Sequence, residues 1–169
     1  MRAEEPVVRR VRPQDWPLVR DLRLEALADT PIAYLEALES AQSLADDDWR
    51  ARSLRGAVGG DSCQVLAVVG ARPVGTSVAF VADGRAWLAA VYVTPSWRGR
   101  DLLARLVAPC GAWAAREGLD ELRLEVHESN VPARRAYARL GFAETGETTP
   151  YPLEPGGLEV VMRRAVQDA

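Results

Sequence analysis

A chain of 169 residues suits one domain with room for a substantial core. Its hydrophobic share of 48% and charged share of 27% are typical of soluble globular proteins, and its net charge of −3 does not favour nucleic-acid binding. The sequence contains no run of about 18 apolar residues, so we expect no membrane span, and the N-terminus lacks the apolar core of a signal peptide. Cys63 and Cys110 lack the spacing of metal ligands, which favours free thiols over a disulfide. We therefore expect one domain over residues 1–169, in the cytoplasm, with no metal and with neither membrane nor nucleic acid as partner.

The first half of the chain predicts one strand, two helices and then a run of strands. Residues 7–11 alternate as a strand, and Asp15 with Pro17 begins a helix that ends before Pro31. Residues 46–48 form the acidic first turn of a second helix. Turns with Gly and Pro separate the next three runs, so we expect an antiparallel meander. Its strands are residues 64–69, 73–81 and 85–93.

The second half predicts a long helix, a strand, a short helix and two last strands. The long helix covers about residues 99–116 and contains Pro109, which usually kinks a helix. A helix between two neighbouring strands of a sheet implies a parallel pair, and hence a mixed α/β sheet with helices on both faces. The remaining predicted elements are a strand at 121–126, a helix at 130–140 and strands at 142–147 and 158–162. The order is β-α-α-β-β-β-α-β-α-β-β.

One stretch predicts an anion site where a strand meets the long helix. Residues 91–106 read VYVTPSWRGRDLLARL. The strand should stop at Pro95, which cannot donate to a β-ladder. Arg and Gly residues form the turn, and apolar residues recur at helical spacing from Leu102 onward. Free amide hydrogens and the positive end of the helix dipole then face whatever lies at the turn.

This stretch resembles the acetyl-CoA-binding motif of the GNAT superfamily of N-acetyltransferases. In that motif a strand ending Val-x-Pro is followed by [Arg/Gln]-x-x-Gly-x-[Gly/Ala]. Arg98 and Gly99 fit it, whereas Asp101 and Leu103 replace its later small residues. The carboxylate of Asp101 would repel a phosphate, so we expect weaker cofactor binding than is usual for the fold. The resemblance implies that the turn residues Arg98, Gly99, Arg100, Asp101, Leu102 and Leu103 bind the pyrophosphate.

A second segment resembles the other CoA-binding motif of the same superfamily, and the predicted element order matches the GNAT fold over nearly the whole chain. The segment reads Asn130-x-x-Ala133-x-x-x-Tyr137-x-x-x-Gly141-Phe142. The resemblance implies that Asn130, Ala133 and Tyr137 face the cofactor and that the phenol protonates the leaving thiolate. Arginines suit phosphate, so Arg134 is a further candidate for cofactor binding, together with Arg98 and Arg100. The alternative for Tyr137 is a core aromatic whose hydroxyl is hydrogen-bonded.

The transfer of an acyl group to an amine also needs a polarised carbonyl and a base. The resemblance implies that a bulge-like backbone amide near Val91 and Val93 binds the thioester oxygen. Many family members carry a carboxylate on the central strand, where this chain has alanines at 89 and 90. The candidates for the base are Glu125, His127 and Glu128 at the end of the next strand, where Glu125 and His127 share one face. The alternatives are an exposed loop histidine, a salt-bridged glutamate, and a water chain without a dedicated base.

The acceptor is expected to be a primary amine, either of a small molecule or of a peptide or protein N-terminus. An acidic groove with aromatic walls would favour such a cation. The residues expected at this groove are Tyr34, Glu36, Glu39, residues 46–48, Glu147, Tyr151 and Glu154. The sequence is compatible with a monomer or a homodimer. A degenerate domain of the same fold, which binds CoA or a partner without catalysis, is the alternative function.

Overall fold

Seven strands form one sheet, in the order β1-β2-β3-β4-β5-β7-β6. The structure, a computed structural model, describes residues 4–166. The strands are β1 (Val7–Arg10), β2 (Ser62–Val69), β3 (Arg72–Ala82), β4 (Arg85–Val93), β5 (Glu121–His127), β6 (Ala143–Pro150) and β7 (Leu158–Ala165). Neighbouring strands are antiparallel except β4 and β5, which are parallel. The mixed α/β sheet predicted from the sequence is therefore confirmed.

Within residues 4–166, five α-helices cover the sheet. They are α1 (Trp16–Asp29), α2 (Leu38–Gln42), α3 (Asp46–Val58), α4 (Leu102–Arg116) and α5 (Val131–Arg139). The short α2 lies in a segment without clear periodicity and was missing from the predicted order. The long helix begins three residues later than predicted, because a 3₁₀ turn at Pro95–Trp97 and a left-handed Gly99 precede it. Among residues 4–166, no helix is long and apolar enough to cross a membrane.

Two apolar cores lie on the two faces of the sheet. On one face α4 packs over the sheet, with Leu106 and Leu124 fully buried, and α5 adds Tyr137 at the edge. On the other face α1 and α3 pack over β2, where Trp49 is 1% exposed. Because side chains alternate along a strand, neighbouring residues of β2 point into different cores. The sheet is thus a wall between the two helical layers.

The neighbouring strands β4 and β5 separate over part of their length. Their parallel pairing covers only Ala86–Leu88 against Leu122–Leu124, although both strands continue for several residues. Beyond this pairing β4 contains a bulge, where two of its residues lie opposite one residue of β3. Ala90, at the bulge, has φ of +51°. Left-handed backbone is costly for a residue with a Cβ, and such strain is concentrated at functional sites.

Candidate active site

A cavity of about 910 Å³ lies where β4 and β5 separate. It is lined from both faces of the sheet. Leu103, Ala133 and Tyr137 belong to the face that α4 and α5 cover. Tyr34, with the core of the α1 layer, and Glu125, at an alternate position of β5, line it from the opposite face. A ligand in this cavity would therefore contact both helical layers.

The turn before α4 has the geometry of an anion site. α4 is 15 residues long, and its first helical bond runs from the amide of Arg105 to the carbonyl of Asp101. The amides of the three residues before Arg105 have no carbonyl one turn earlier to bond, so they are available to a ligand. Gly99 has φ of +69°, and a Cβ built there would meet no atom within 4 Å. The backbone requires glycine there, while the surrounding space is open.

The side chains of this turn have different environments. Arg98 forms an ion pair with Asp29 at the end of α1 and donates to the carbonyl of Val93 at 2.9 Å. The guanidinium beside Asp29 lowers the pKa of that carboxyl. Arg98 thereby ties the turn to α1, although it also lines the cavity. Arg100 stacks on Trp97, with 4.7 Å from its guanidinium carbon to the ring centre.

The two substituted positions of the first motif both line the cavity. Asp101 is exposed and occupies the N-cap position of α4, but its side chain makes no capping hydrogen bond. Leu103 is half-buried. Leu102, which was predicted with them, buries its side chain in the core at 2% exposure, so only its backbone is available to a ligand.

The second motif forms the start of α5. Asn130 is the N-cap: its side-chain oxygen accepts from the amide of Ala133 at 3.3 Å, and both residues line the cavity. Arg134 does not line it. Its guanidinium is 2.6 Å from Glu144 and donates to the carbonyl of Glu128 at 2.9 Å. Arg134 therefore connects α5 to β6 and to the preceding turn.

Tyr137 brings a phenol to the cavity from α5. Its ring packs edge-on against Phe142, with 5.7 Å between the ring centres. Within residues 4–166 its hydroxyl forms no side-chain hydrogen bond, unlike that of Tyr34, which donates to the carbonyl of Val91 at 2.9 Å. Burial raises the pKa of Tyr137, so the phenol keeps its proton at neutral pH. It is a donor without a partner at the cavity surface.

Glu125 and His127 share a strand face, but only Glu125 lines the cavity. His127 is 3% exposed, so it is not an exposed loop histidine. Its Nδ1 accepts from the amide of Ser129 at 3.1 Å, and its Nε2 lies 3.3 Å from Glu154. Tyr151 packs edge-on against the ring, with 4.8 Å between ring centres. Both ring nitrogens of His127 thus face other partners.

Glu159 of β7 is a cavity residue that the sequence alone did not predict. It is 5% exposed and lies directly opposite His127 in the β5–β7 register, one position along the same face from Glu125. Burial and the like charge of Glu125 raise the pKa of Glu159 to about 7. The sequence shows a single carboxylate at the start of an apolar strand. Without the β5–β7 register, that position does not indicate a functional site.

Most residues of the predicted acidic groove lie outside this cavity. Glu36 forms ion pairs with Arg23 at 2.9 Å and Arg52 at 2.7 Å, so its charge is neutralised. Residues 46–48 form the first turn of α3, where Asp48 accepts from the amide of Ala45. Of the predicted groove residues, Tyr34 lines the cavity. On β5 and β7, Glu125 and Glu159 bring carboxylates to the cavity instead.

Known proteins resemble this chain in sequence and in fold. The family model described as Acetyltransferase (GNAT) family matches residues 20–142. Aminoglycoside N(6')-acetyltransferase type 1 of Serratia marcescens is 37% identical over 60 residues, which are 36% of this chain and 41% of that enzyme. The chain thus matches less than half the length of this curated relative.

Solved structures share the fold over almost the whole chain. An acetyltransferase of the GNAT family from Streptococcus pneumoniae has a TM-score of 0.78 and 18% identity, with 96% of this chain and 100% of that chain covered. The PaiA N-acetyltransferase of Thermoplasma acidophilum, in complex with coenzyme A, has a TM-score of 0.76 and 18% identity, with 95% and 98% covered. The fold and the family predicted from the two motifs are confirmed. The chain belongs to the GNAT family of acetyltransferases.

Proposed function

We propose that this protein is an acetyl-CoA-dependent N-acetyltransferase. It would move the acetyl group directly from the thioester to a primary amine of a small molecule or of a peptide or protein N-terminus. The observation that carries the proposal is that one cavity joins the free amides of the α4 turn, the β4 bulge and the phenol of Tyr137. The free amides would bind a diphosphate, the bulge would donate to a carbonyl oxygen, and the phenol would protonate a thiolate.

The residues at the α4 turn fit coenzyme A. Three backbone amides at the positive end of a 15-residue helix suit a pyrophosphate, and the open space over Gly99 admits it. Arg100 lies beside them and would add a cation. The Thermoplasma protein with the same fold binds coenzyme A, which supports the same cofactor here. When bound, acetyl-CoA supplies the activated acetyl group.

Backbone groups of β4 would polarise the thioester carbonyl. Because β5 leaves β4 after Leu88, the β4 groups that would have bonded to it face the cavity. The bulge at Ala90 also changes the direction in which the backbone from Val91 to Val93 points. A backbone amide fixed in this way loses little on reorganisation when charge develops on an oxygen nearby. Val91 and Val93 are therefore the proposed oxyanion residues.

Proton transfer would involve one residue on each face of the sheet. Tyr137, kept protonated by burial, is the proposed acid for the leaving thiolate. Of the sequence candidates for the base, Glu125 lines the cavity, and neither His127 nor Glu128 does. We therefore propose Glu125 as one carboxylate of the site that accepts the proton. Asn130 and Ala133 would contact the cofactor beside the phenol, whereas Arg134, which is bound to Glu144, would act by fixing α5.

Release of free thiol from acetyl-CoA tests the proposal. The purified protein is incubated with acetyl-CoA and a panel of primary amines that includes diamines, aminoglycosides and short peptides with free N-termini. Thiol release that depends on an amine, with the acetylated amine identified by mass spectrometry, is the expected result. Calorimetric binding of CoA without turnover on any amine would instead favour the degenerate domain, for which the side chains of Asp101 and Leu103 at the phosphate turn are the supporting observation.

Replacing Asp101 by asparagine is expected to tighten CoA binding about fivefold. Two unit charges about 4 Å apart in water repel by about 1 kcal/mol, and that energy corresponds to about this factor in Kd. Asparagine caps a helix as well as aspartate does, so helix stability should be preserved. The measurement is calorimetry at low salt, and the control is Glu117→Gln at the other end of α4. An unchanged Kd for Asp101→Asn would remove the repulsion argument.

A further inference from the structure

Two carboxylates from neighbouring strands meet at the cavity on the α1 side of the sheet. In the β5–β7 register His127 lies opposite Glu159, and Glu125 lies two residues before His127 on the same face. Glu125 and Glu159 both line the cavity. Glu125 is exposed and accepts from the hydroxyl of Thr149 at 3.1 Å. The two carboxylates interact, because the like charge of Glu125 is one of the causes that raise the pKa of Glu159.

Glu159 is the buried member of the pair. It is 5% exposed, and a side-chain hydrogen bond with Glu125 is among the causes that raise its pKa, so this bond favours the protonated form. In its charged form a buried carboxylate beside a like charge is costly, so Glu159 either holds a proton or receives a cation from outside. Since Glu159 lines a cavity, that cation would arrive with a ligand.

The neighbours of Glu159 do not supply the missing cation. Within residues 4–166, Glu125 and Tyr151 interact electrostatically with Glu159, His127 lies opposite it, Glu154 is close to His127, and Arg23 and Tyr34 line the same cavity from the α1 side. The imidazole accepts the amide of Ser129 at Nδ1, so its own hydrogen lies on Nε2, towards Glu154. Arg23 lies over the ring of Tyr34 at 4.7 Å and pairs with Glu36.

We propose that Glu159, coupled to Glu125, binds the ammonium group of the acceptor and accepts its proton. This inference rests on the proposed N-acetyltransferase function and adds a specific proton acceptor to it. The pair would take the place of the central-strand carboxylate that residues 89 and 90, both alanine, do not provide. It also selects the acceptor class, which is a primary amine that is cationic at neutral pH.

The proposed transfer conserves protons and electron pairs. An N–H bond of the ammonium breaks, an O–H bond forms on Glu159, and the freed electron pair of nitrogen forms the C–N bond with the thioester carbon. The C–S bond breaks, and its electron pair leaves on sulfur, which takes the proton of the Tyr137 hydroxyl. Nitrogen loses its second proton to solvent water, Glu159 releases the proton that it accepted to solvent, and Tyr137 recovers one proton from solvent. The net products are the amide, the free thiol and one proton.

The pair has a direct consequence for pH dependence. Glu159 accepts a proton only when it is ionised, and burial with a like charge nearby raises its pKa to about 7. Activity should therefore rise with pH through that value and be lost below it. Removing the charge of Glu125 takes away the like charge that helps to raise this pKa, so the rise should then begin at lower pH.

The test compares Glu159→Gln, Glu125→Gln and the wild type over pH with one amine from the panel. For Glu159→Gln we expect kcat/KM to fall about 100-fold and the rise near neutral pH to disappear. For Glu125→Gln we expect the rise to shift towards acid. Glu147→Gln on β6 is the control, since its carboxylate faces Arg123 and does not line the cavity. CoA affinity, measured by calorimetry, should be equal in all four proteins.

Each result decides between the two proposals. Turnover in the wild type with an unchanged pH profile in Glu159→Gln overturns the inference and leaves the proposed function intact. If Glu159→Gln does not fold, Glu125→Gln decides alone, because an unshifted profile there contradicts a coupled pair. CoA binding without turnover of any amine by the wild type overturns the proposed function, and the inference with it.

Discussion

Replacing Tyr137 by phenylalanine is expected to lower kcat about 100-fold or more. The substitution removes only the hydroxyl, which is the proposed proton donor to the thiolate. The ring would keep its edge-on contact with Phe142, so the shape of α5 and of the cavity should be preserved. Because the hydroxyl has no side-chain partner within residues 4–166, no other group loses a hydrogen bond. The fall should therefore appear in kcat and not in the Kd for CoA.

The measurement is the steady-state rate of thiol release, with CoA affinity determined separately by calorimetry. Tyr92→Phe is the matched control, since the Tyr92 hydroxyl is 3.2 Å from Glu25 of α1 and has no proposed part in proton transfer. We expect the control to keep its kcat within about twofold. A Tyr137→Phe variant that retains full kcat would show that another group, or water, protonates the thiolate.

Replacing Gly99 by alanine is expected to weaken CoA binding. The glycine has φ of +69°, and that left-handed conformation costs an alanine about 1 to 2 kcal/mol, equivalent to about a 5- to 30-fold rise in Kd. The free turn can relax to another conformation, and binding must then restore the strained one. The new Cβ itself would meet no atom within 4 Å, so the loss would come from the backbone and not from a clash.

Gly84→Ala separates this effect from a general loss of stability. Gly84 also has φ of +69° with open space around it, but it lies in the turn between β3 and β4, outside the cavity. We expect Gly84→Ala to lose stability in urea unfolding and to keep its CoA affinity, whereas Gly99→Ala should lose CoA affinity. Equal CoA affinities for Gly99→Ala and the wild type would contradict the proposed binding of the pyrophosphate at this turn.

The sequence predicted most of the fold because its signals are local. Turn residues, helix caps and apolar periodicity place most elements within a few residues of their observed ends. The short α2 was missed because five residues carry too little periodicity, and its helix is stabilised by packing of Ala41 in the α1 core. The late start of α4 depends on the left-handed Gly99, which a periodicity argument does not contain.

The candidate site was predicted in part, for a physical reason. The two CoA motifs lie on contiguous segments, so Tyr137 and the α4 turn could be found from spacing alone. The partners of the other residues lie far away in sequence: Arg98 meets Asp29 of α1, and Glu159 meets Glu125 across a strand pairing. Because strand order β5-β7-β6 departs from chain order, no local pattern places Glu159 beside β5.

The short pairing between β4 and β5 has a mechanical consequence. Three residue pairs are the only β-ladder joining strands 1–4 to strands 5–7 within the described residues. A ligand bound between β4 and β5 would contact both halves of the sheet in place of the missing ladder. Ligand binding and the stability of the contact between the halves are therefore thermodynamically linked. The bound substrate would then stabilise the contact between the two halves of the sheet. That contact would weaken when product leaves and strengthen again when the next molecule binds.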